Sequence, residues 1–146
     1  MRHLELLAPA KNLECGKTAV DHGADAVYIG ASRFGARAAA GNSVADIAEL
    51  CAYAHRFGVK VYVTVNTIVY EDELDDTQRL IWDLYRAGAD AILVQDMGLL
   101  KMQLPPIALH ASTQTDNRSA EKVNWLLGHG FERVVLAREL SIDEIR

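Results

Sequence analysis

Val59-Lys60-Val61-Tyr62-Val63-Thr64-Val65-Asn66 reads as a β-strand with two unlike faces. Side chains alternate across a strand, so Val61, Val63 and Val65 share one face while Tyr62, Thr64 and Asn66 share the other. A parallel strand sandwiched between two helical layers is apolar on both faces. One polar face per strand favours a closed barrel, in which every second residue points into a lumen, over an open doubly wound sheet. The run Ile107-Ala108-Leu109-His110-Ala111-Ser112 repeats the pattern: Ile107, Leu109 and Ala111 oppose Ala108, His110 and Ser112, with Gln114 beyond in register.

Outward from these two strands, β-rich runs recur at 4–8, 26–30, 91–95 and 133–137. Helical patterns fall between them at about 12–22, 43–57, 72–87, a short one near 97–103, and 117–128. His22-Gly23-Ala24-Asp25-Ala26-Val27 and Ala87-Gly88-Ala89-Asp90-Ala91-Ile92 are one device used twice, and Phe57-Gly58-Val59 and Gly130-Phe131 vary it. Each sets a glycine just past a helix, where a left-handed residue stops it, and then launches a buried strand. Helix, glycine stop and strand make a βα repeat, which is expected to cross over right-handedly.

After the sixth run, Ser141-Ile142-Asp143-Glu144 has the capping-box pattern that opens a helix, and the chain ends at Arg146. A (β/α)8 barrel takes about 250 residues. The expected fold is therefore α/β: residues 1–146 form the N-terminal portion of one TIM (β/α)8-type barrel domain without internal boundary. It would hold about six parallel strands with outer helices, truncated before the last βα units. The open edges of its first and last strands are expected to drive self-association.

At 50% hydrophobic, the chain can bury one core. No apolar run approaches the roughly 18 residues of a membrane span, and no signal-peptide pattern opens the sequence, so a cytoplasmic protein without a membrane partner is expected. The formal net charge of −5 argues against broad electrostatic binding to nucleic acid and leaves room for a local arginine patch. Cys15 and Cys51 fall on helical patterns among apolar neighbours, where a free thiol behaves as a small hydrophobe.

In a barrel of this kind, catalytic groups converge at the C-terminal ends of the strands. Asn66, Gln95, Asp96, His110, Ser112, Gln114, Arg138 and Glu139 all fall there. His110 with Asp96 or Glu139 could act as general acid and base, and Arg138 belongs beside them. The loop running from Ser32 to Asn42 carries Arg33 and Arg37, whose planar forks suit an anionic substrate group. Asn42, Asn66, Gln95, Ser112 and Gln114 are substrate-binding candidates. Glu5 shares parity with Leu7 and is expected to point inward near the barrel floor, where a carboxylate needs a partner. No HExxH, HxH or CxxC spacing occurs, so no metal site is expected.

Seven segments stand in a recognisable order: Glu5-Leu6-Leu7-Ala8-Pro9-Ala10, the stretch from Gly23 to Gly30, RFGARAAAGN at 33–42, the stretch from Tyr62 to Thr67, Val94-Gln95-Asp96-Met97-Gly98, Leu109-His110-Ala111-Ser112-Thr113-Gln114, and the stretch from Val135 to Leu140. Together they closely resemble the N-terminal region of the collagenase-like peptidase family, peptidase family U32. The resemblance spans nearly the whole chain. It implies one of two activities. Some family members are collagenase-type proteases, while others are linked to hydroxylation of tRNA, of rRNA or of the ubiquinone ring. The hydroxylating members are associated with an iron–sulfur cluster held by cysteines, and RNA hydroxylation with prephenate. Those cysteines belong after the sixth strand, and Cys15 and Cys51 do not match them.

The two activities need different parts. A peptidase requires an activated nucleophile or a metal-bound water. Neither constellation is visible, and Ser112 and His110 lie too close on one strand to form a nucleophile and base. A hydroxylase would draw redox power from its cluster and use the barrel mouth for positioning. The expectation is RNA hydroxylation by the full-length protein, with an RNA or small-molecule substrate and no cofactor held by these residues. Proteolysis of a peptide substrate and a purely scaffolding role are the alternatives.

Overall fold

The computed structural model describes residues 4–32 and 41–146. Strands and helices alternate as β1 (Leu7–Ala10), α1 (Leu13–Asp21), β2 (Ala26–Gly30), α2 (Val44–His55), β3 (Lys60–Val65), α3 (Leu74–Arg86), β4 (Ala91–Val94), β5 (Ala108–Ala111), α4 (Ala120–Gly128), β6 (Phe131–Val134) and α5 (Ile142–Ile145). Every strand pair is parallel, and the order is β1-β2-β3-β4-β5-β6. A doubly wound sheet would reverse direction at a switch point. This sheet does not, and β1 and β6 are not paired with each other, so the fold is a partial barrel left open between them.

The two strand faces sort the core into two clusters. Val27, Ile29, Val61, Val63, Val65, Ile92 and Val94 meet Ile47, Leu50, Ile81, Leu84 and Leu126 from the helices. Ala26, Tyr62, Ala91 and Leu93 form a separate cluster in the lumen, with Leu7, Tyr28 and Ala108 against it. The period-two pattern of β3 is therefore the partition between the helix side and the lumen.

The repeated glycine device has a second component. Gly23 at φ 88 and Gly88 at φ 93 are left-handed and end α1 and α3. Two residues later, Asp25 Oδ2 accepts the Leu6 amide at 2.7 Å, and Asp90 Oδ2 accepts the Val61 amide at 2.7 Å. Each aspartate thus caps the neighbouring strand as well as starting its own.

Several boundaries differ from the sequence reading. The first strand runs from Leu7 rather than from Leu4, because its register begins at Leu7 opposite Ala26, and Leu4 and Leu6 are exposed. The sixth strand is Phe131–Val134, earlier than 133–137, with a register irregularity at Leu109/His110 in its partner. The short helix near 97–103 is a 3-10 turn, Met97–Lys101. The helix expected from 117 starts at Ala120, because Ser119 caps it by accepting the Lys122 amide at 3.3 Å.

Glu5 does enter the lumen floor. Arg133 from β6 forks onto its carboxylate, with Nη2 at 3.0 Å from Oε2 and Nη1 bonded to Oε1. Tyr62 Oη donates to the same Oε2 at 3.0 Å, and the Arg133 guanidinium lies 5.4 Å from the centre of the Tyr62 ring. Arg133, helped by Tyr62, holds the Glu5 carboxyl below its ordinary range against the opposing effect of burial.

Arg133→Met removes the fork and leaves Glu5 half-buried, which is expected to cost about 1–2 kcal/mol at pH 7, at the low end because both groups keep some solvent. A carboxyl with a depressed folded pKa stabilises fully above its unfolded value, near 4.5, and loses that contribution as pH falls through the folded one. Urea unfolding of wild type and variant should show a gap at pH 7 that narrows in acid below that value. An equal gap at both pH values would remove the ion pair as its cause.

Candidate functional site

Above the floor, the lumen opens into a cavity of about 1090 Å³ at the C-terminal ends of the strands. Leu7, Pro9, Tyr28, Leu93, Val135 and Leu136 give it apolar walls, and Thr64, Asn66, Ser112, Thr113 and Gln114 give it amides and hydroxyls. Lys11 and Arg138 stand at its lip, and Cys15 of α1 reaches it. Among the described residues, no aspartate or glutamate lines this cavity. In a chain of net charge −5, that exclusion suits an uncharged or anionic guest.

The structure brings Asn66, Ser112, Gln114 and Arg138 together around this space. Asn66 Nδ2 donates to Ser112 Oγ at 3.2 Å, bridging the ends of β3 and β5, and the Gln114 amide donates to the same oxygen at 3.3 Å. Ser112 is buried and its hydroxyl oxygen is an acceptor in both bonds. This is the arrangement of a lip fastener rather than of an activated nucleophile.

Other candidates sit elsewhere. Asn42, expected to bind substrate, is buried and donates both amide protons to backbone, to Lys11 O at 3.0 Å and Gly30 O at 2.9 Å. It ties the loop after β1 to the end of β2 and has no donor left for a guest. Asp96, expected to pair with His110, instead accepts the Gly98 amide at 2.8 Å and the Val69 amide at 3.0 Å. It has the helix-side parity of Ile92 and Val94, while His110 faces the lumen, so the acid and base couple between them does not form. Gln95 is half-buried just past β4, and Glu139 is exposed beyond Arg138 outside the cavity lining. Arg33 and Arg37 lie outside the described residues.

His110 belongs to the floor rather than to the mouth. It is buried opposite Arg133 in the β5–β6 register, and its ring meets Tyr62 edge-on at 4.7 Å. Burial pushes its pKa down to about 4, Arg133 and Lys60 push the same way, and Glu5 pulls against them. The imidazole is therefore neutral at neutral pH.

Sequence reading missed Lys11, Tyr28 and Asn117. The first two follow from strand parity and loop position. Asn117, which the helical pattern from 117 includes, is fully buried outside the helix and bonds to the residues just past β5 and β6. The Asp116-Asn117 pair ahead of a serine cap is the turn signal that could have found it.

The described residues hold no group of three or more His, Cys, Asp or Glu placed to bind a metal. Cys51 is buried with its thiol pushed up to about 12 by desolvation, and Cys15 is alone at the cavity. These two thiols do not fit an iron–sulfur cluster, which takes several thiolates at one place. No described helix is long and apolar enough to cross a membrane.

Comparison with known proteins gives a family and a fold. The model of peptidase family U32 matches residues 11–146. The chain is 57% identical over 143 residues to the 23S rRNA 5-hydroxycytidine C2501 synthase of Escherichia coli, covering 98% of this chain and 22% of that protein. It is 39% identical over 146 residues to tRNA hydroxylation protein P1 of Bacillus subtilis, covering 97% of this chain and 35% of that one. The chain thus spans about a fifth to a third of the length of these curated relatives. The solved structure of a U32 peptidase superposes with a TM-score of 0.70 at 12% identity, over 93% of this chain and 60% of that one, and shares the fold.

Proton NMR should find His110 titrating near pH 4, and Arg133→Met should raise that midpoint by removing a repelling cation. The unfolded chain takes up this proton near pH 6.5 and the native one near 4, so His110 makes stability fall between those values as pH drops. A native midpoint at 6.5 would show that the ring is not held in this floor.

Proposed function

Because the chain belongs to peptidase family U32, we propose that it forms the substrate-positioning part of a barrel that hydroxylates RNA. The observation that carries this reading is the mouth cavity: apolar walls, several amides and hydroxyls, two cations at the lip and no described carboxylate. Such a lining accepts a flat polar group attached to an anionic backbone and repels acidic side chains. Asn66, Ser112 and Gln114 offer hydrogen bonds to that group, and Arg138, Lys11 and the loop residues Arg33 and Arg37 hold its phosphate or a carboxylate. His110 and Glu139 support from the floor and the outer rim. The similarity to proteins named for rRNA and tRNA hydroxylation supports the same choice.

In this reading the oxidising chemistry comes from an iron–sulfur cluster in the full-length protein, with ligands outside the residues described, since Cys15 and Cys51 do not suit one. The working compartment is the cytoplasm, where the RNA is. The unpaired edges of β1 and β6 are where these 146 residues would self-associate. Peptide hydrolysis is the second reading, favoured by the U32 peptidase fold neighbour. The hydrogen bonds that Ser112 Oγ accepts give it no general base.

The test is RNA mass analysis from cells lacking the gene, complemented with wild type or Arg138→Ala. Wild type should restore a hydroxyl mark, and the variant should reduce it at least about tenfold, the loss expected for one charged hydrogen bond. Purified protein should leave gelatin and peptides intact. No mark with wild type, or peptide hydrolysis that survives chelators, would overturn the proposal.

A further inference from the structure

The ladder between β5 and β6 ends at the bond from the Val135 amide to Ala111 O, at 2.9 Å. Beyond it the two strands become the two lips of the mouth, one ending in Ser112 and Gln114 and the other in Val135 and Arg138. Their last carbonyls, Ser112 O and Val135 O, pass out of the ladder, and Ser112 O accepts the Thr115 amide of its own turn at 3.1 Å. Asn117 fills the gap. Its side chain is 0% exposed, and Nδ2 donates to Ser112 O at 2.9 Å and to Val135 O at 2.8 Å. The Thr115 hydroxyl lies 2.6 Å from Asn117 Oδ1 and 2.8 Å from Ser112 O, and with one proton it donates to one of them at a time. The main-chain oxygen of Asn117 accepts the Ala137 amide at 3.1 Å, one residue before Arg138.

We propose that Asn117 is a positioning residue: its amide sets the spacing between the two lips and so aligns Arg138 with Ser112 and Gln114. The proposal rests on the mouth being the working site, as argued above. It requires an asparagine. A carboxylate of the same shape would turn an acceptor toward two carbonyls, and glutamine is one methylene too long for this enclosed place. Thr115 and Asp116, whose left-handed φ of 55 turns the chain back toward β6, aim the amide. Lys122 of α4, bonded through Nζ to Thr115 O, ties the turn to that helix. None of these groups needs to touch a substrate.

The experiment uses the full-length protein with Asn117→Asp and Thr115→Val, measuring RNA hydroxylation, folded fraction by circular dichroism, and kcat and KM for RNA. Expected for Asn117→Asp is a kcat loss of about tenfold or more in folded protein, with KM nearly unchanged. Acidification should partly recover its turnover, because the protonated introduced carboxyl regains one donor, whereas wild type should gain nothing. Thr115→Val keeps both Nδ2 bonds and should lose only about threefold or less. Full turnover by Asn117→Asp, or a loss that follows the unfolded fraction in both variants, would overturn the proposal. If wild type leaves no mark, the functional reading has failed instead. Positioning is then judged by hydrogen exchange of the Ala137 amide, which Asn117→Asp must speed at least about tenfold. Unchanged exchange would refute it.

Discussion

A lumen that receives every second side chain of six parallel strands must satisfy whatever polarity it receives, and here its floor receives a charge pair. Glu5 and Arg133 lie 128 residues apart in sequence, on the segment entering β1 and on β6 respectively, and these share no ladder bond. The fork between them is thus a link across the open side of the sheet. Removing either partner would strand the other in a half-enclosed place, where an uncompensated charge is more costly than a lost surface pair. Tyr62 makes the arrangement directional, with its hydroxyl on the carboxylate and its ring under the guanidinium. His110 packs edge-on against that ring as a neutral group, because burial disfavours its charged form and a second cation beside Arg133 is disfavoured as well.

The rim is held by a different means. Asn42 joins the loop after β1 to β2, Asp96 joins the loop after β3 to β4, Asn66 joins β3 to β5, and Asn117 joins β5 to β6. Short amide and carboxylate side chains at strand ends thereby replace ladder bonds that the diverging backbones no longer make. This divides the polar residues of the mouth into fasteners engaged by the backbone, Asn42, Asp96 and Asn117, and groups that line the cavity, Asn66, Ser112, Gln114 and Arg138. Chemistry can be assigned only to the second set, and that set depends on the first for its placement.

This division explains what the sequence could and could not disclose. Alternation along β3 and β5 separates lumen from helix side because period two is a local property of a strand, and the glycine stops are equally local. The pairing of Asp25 with Leu6 and of Asp90 with Val61 is half visible, as a repeated Gly-Ala-Asp-Ala whose partner lies on another strand. Asp96, Asn42 and Asn117 were illegible as fasteners because residue type and rim position are the same for a fastener and for a ligand-binding group. Apart from the local bond of Asp96 to the Gly98 amide, their partners are backbone atoms 27, 31, 12, 5 and 18 residues away, which no short motif records. The height of His110 is hidden for a related reason. Lumen parity is correct for it, but parity gives no height along the barrel axis, and height decides between floor and mouth.

Charge is sorted along the same lines. The first turns of the helices carry Glu14, Asp46, Asp75, Asp76, Glu121, Asp143 and Glu144, where a carboxylate complements the helix dipole. Helices that follow strands in a βα unit begin near the mouth, so these carboxylates lie outside the cavity while Lys11 and Arg138 stand at its lip. A net charge of −5 is thus compatible with a cavity that attracts anions, because the acids that stabilise helix starts are separated from it by the strand ends. A polyanion laid flat over the rim would meet the carboxylates, whereas a single group inserted end-on meets the cations first. Under the proposed function, helix capping and substrate selection impose compatible demands on this rim, since acids at the helix starts favour entry along the lumen axis.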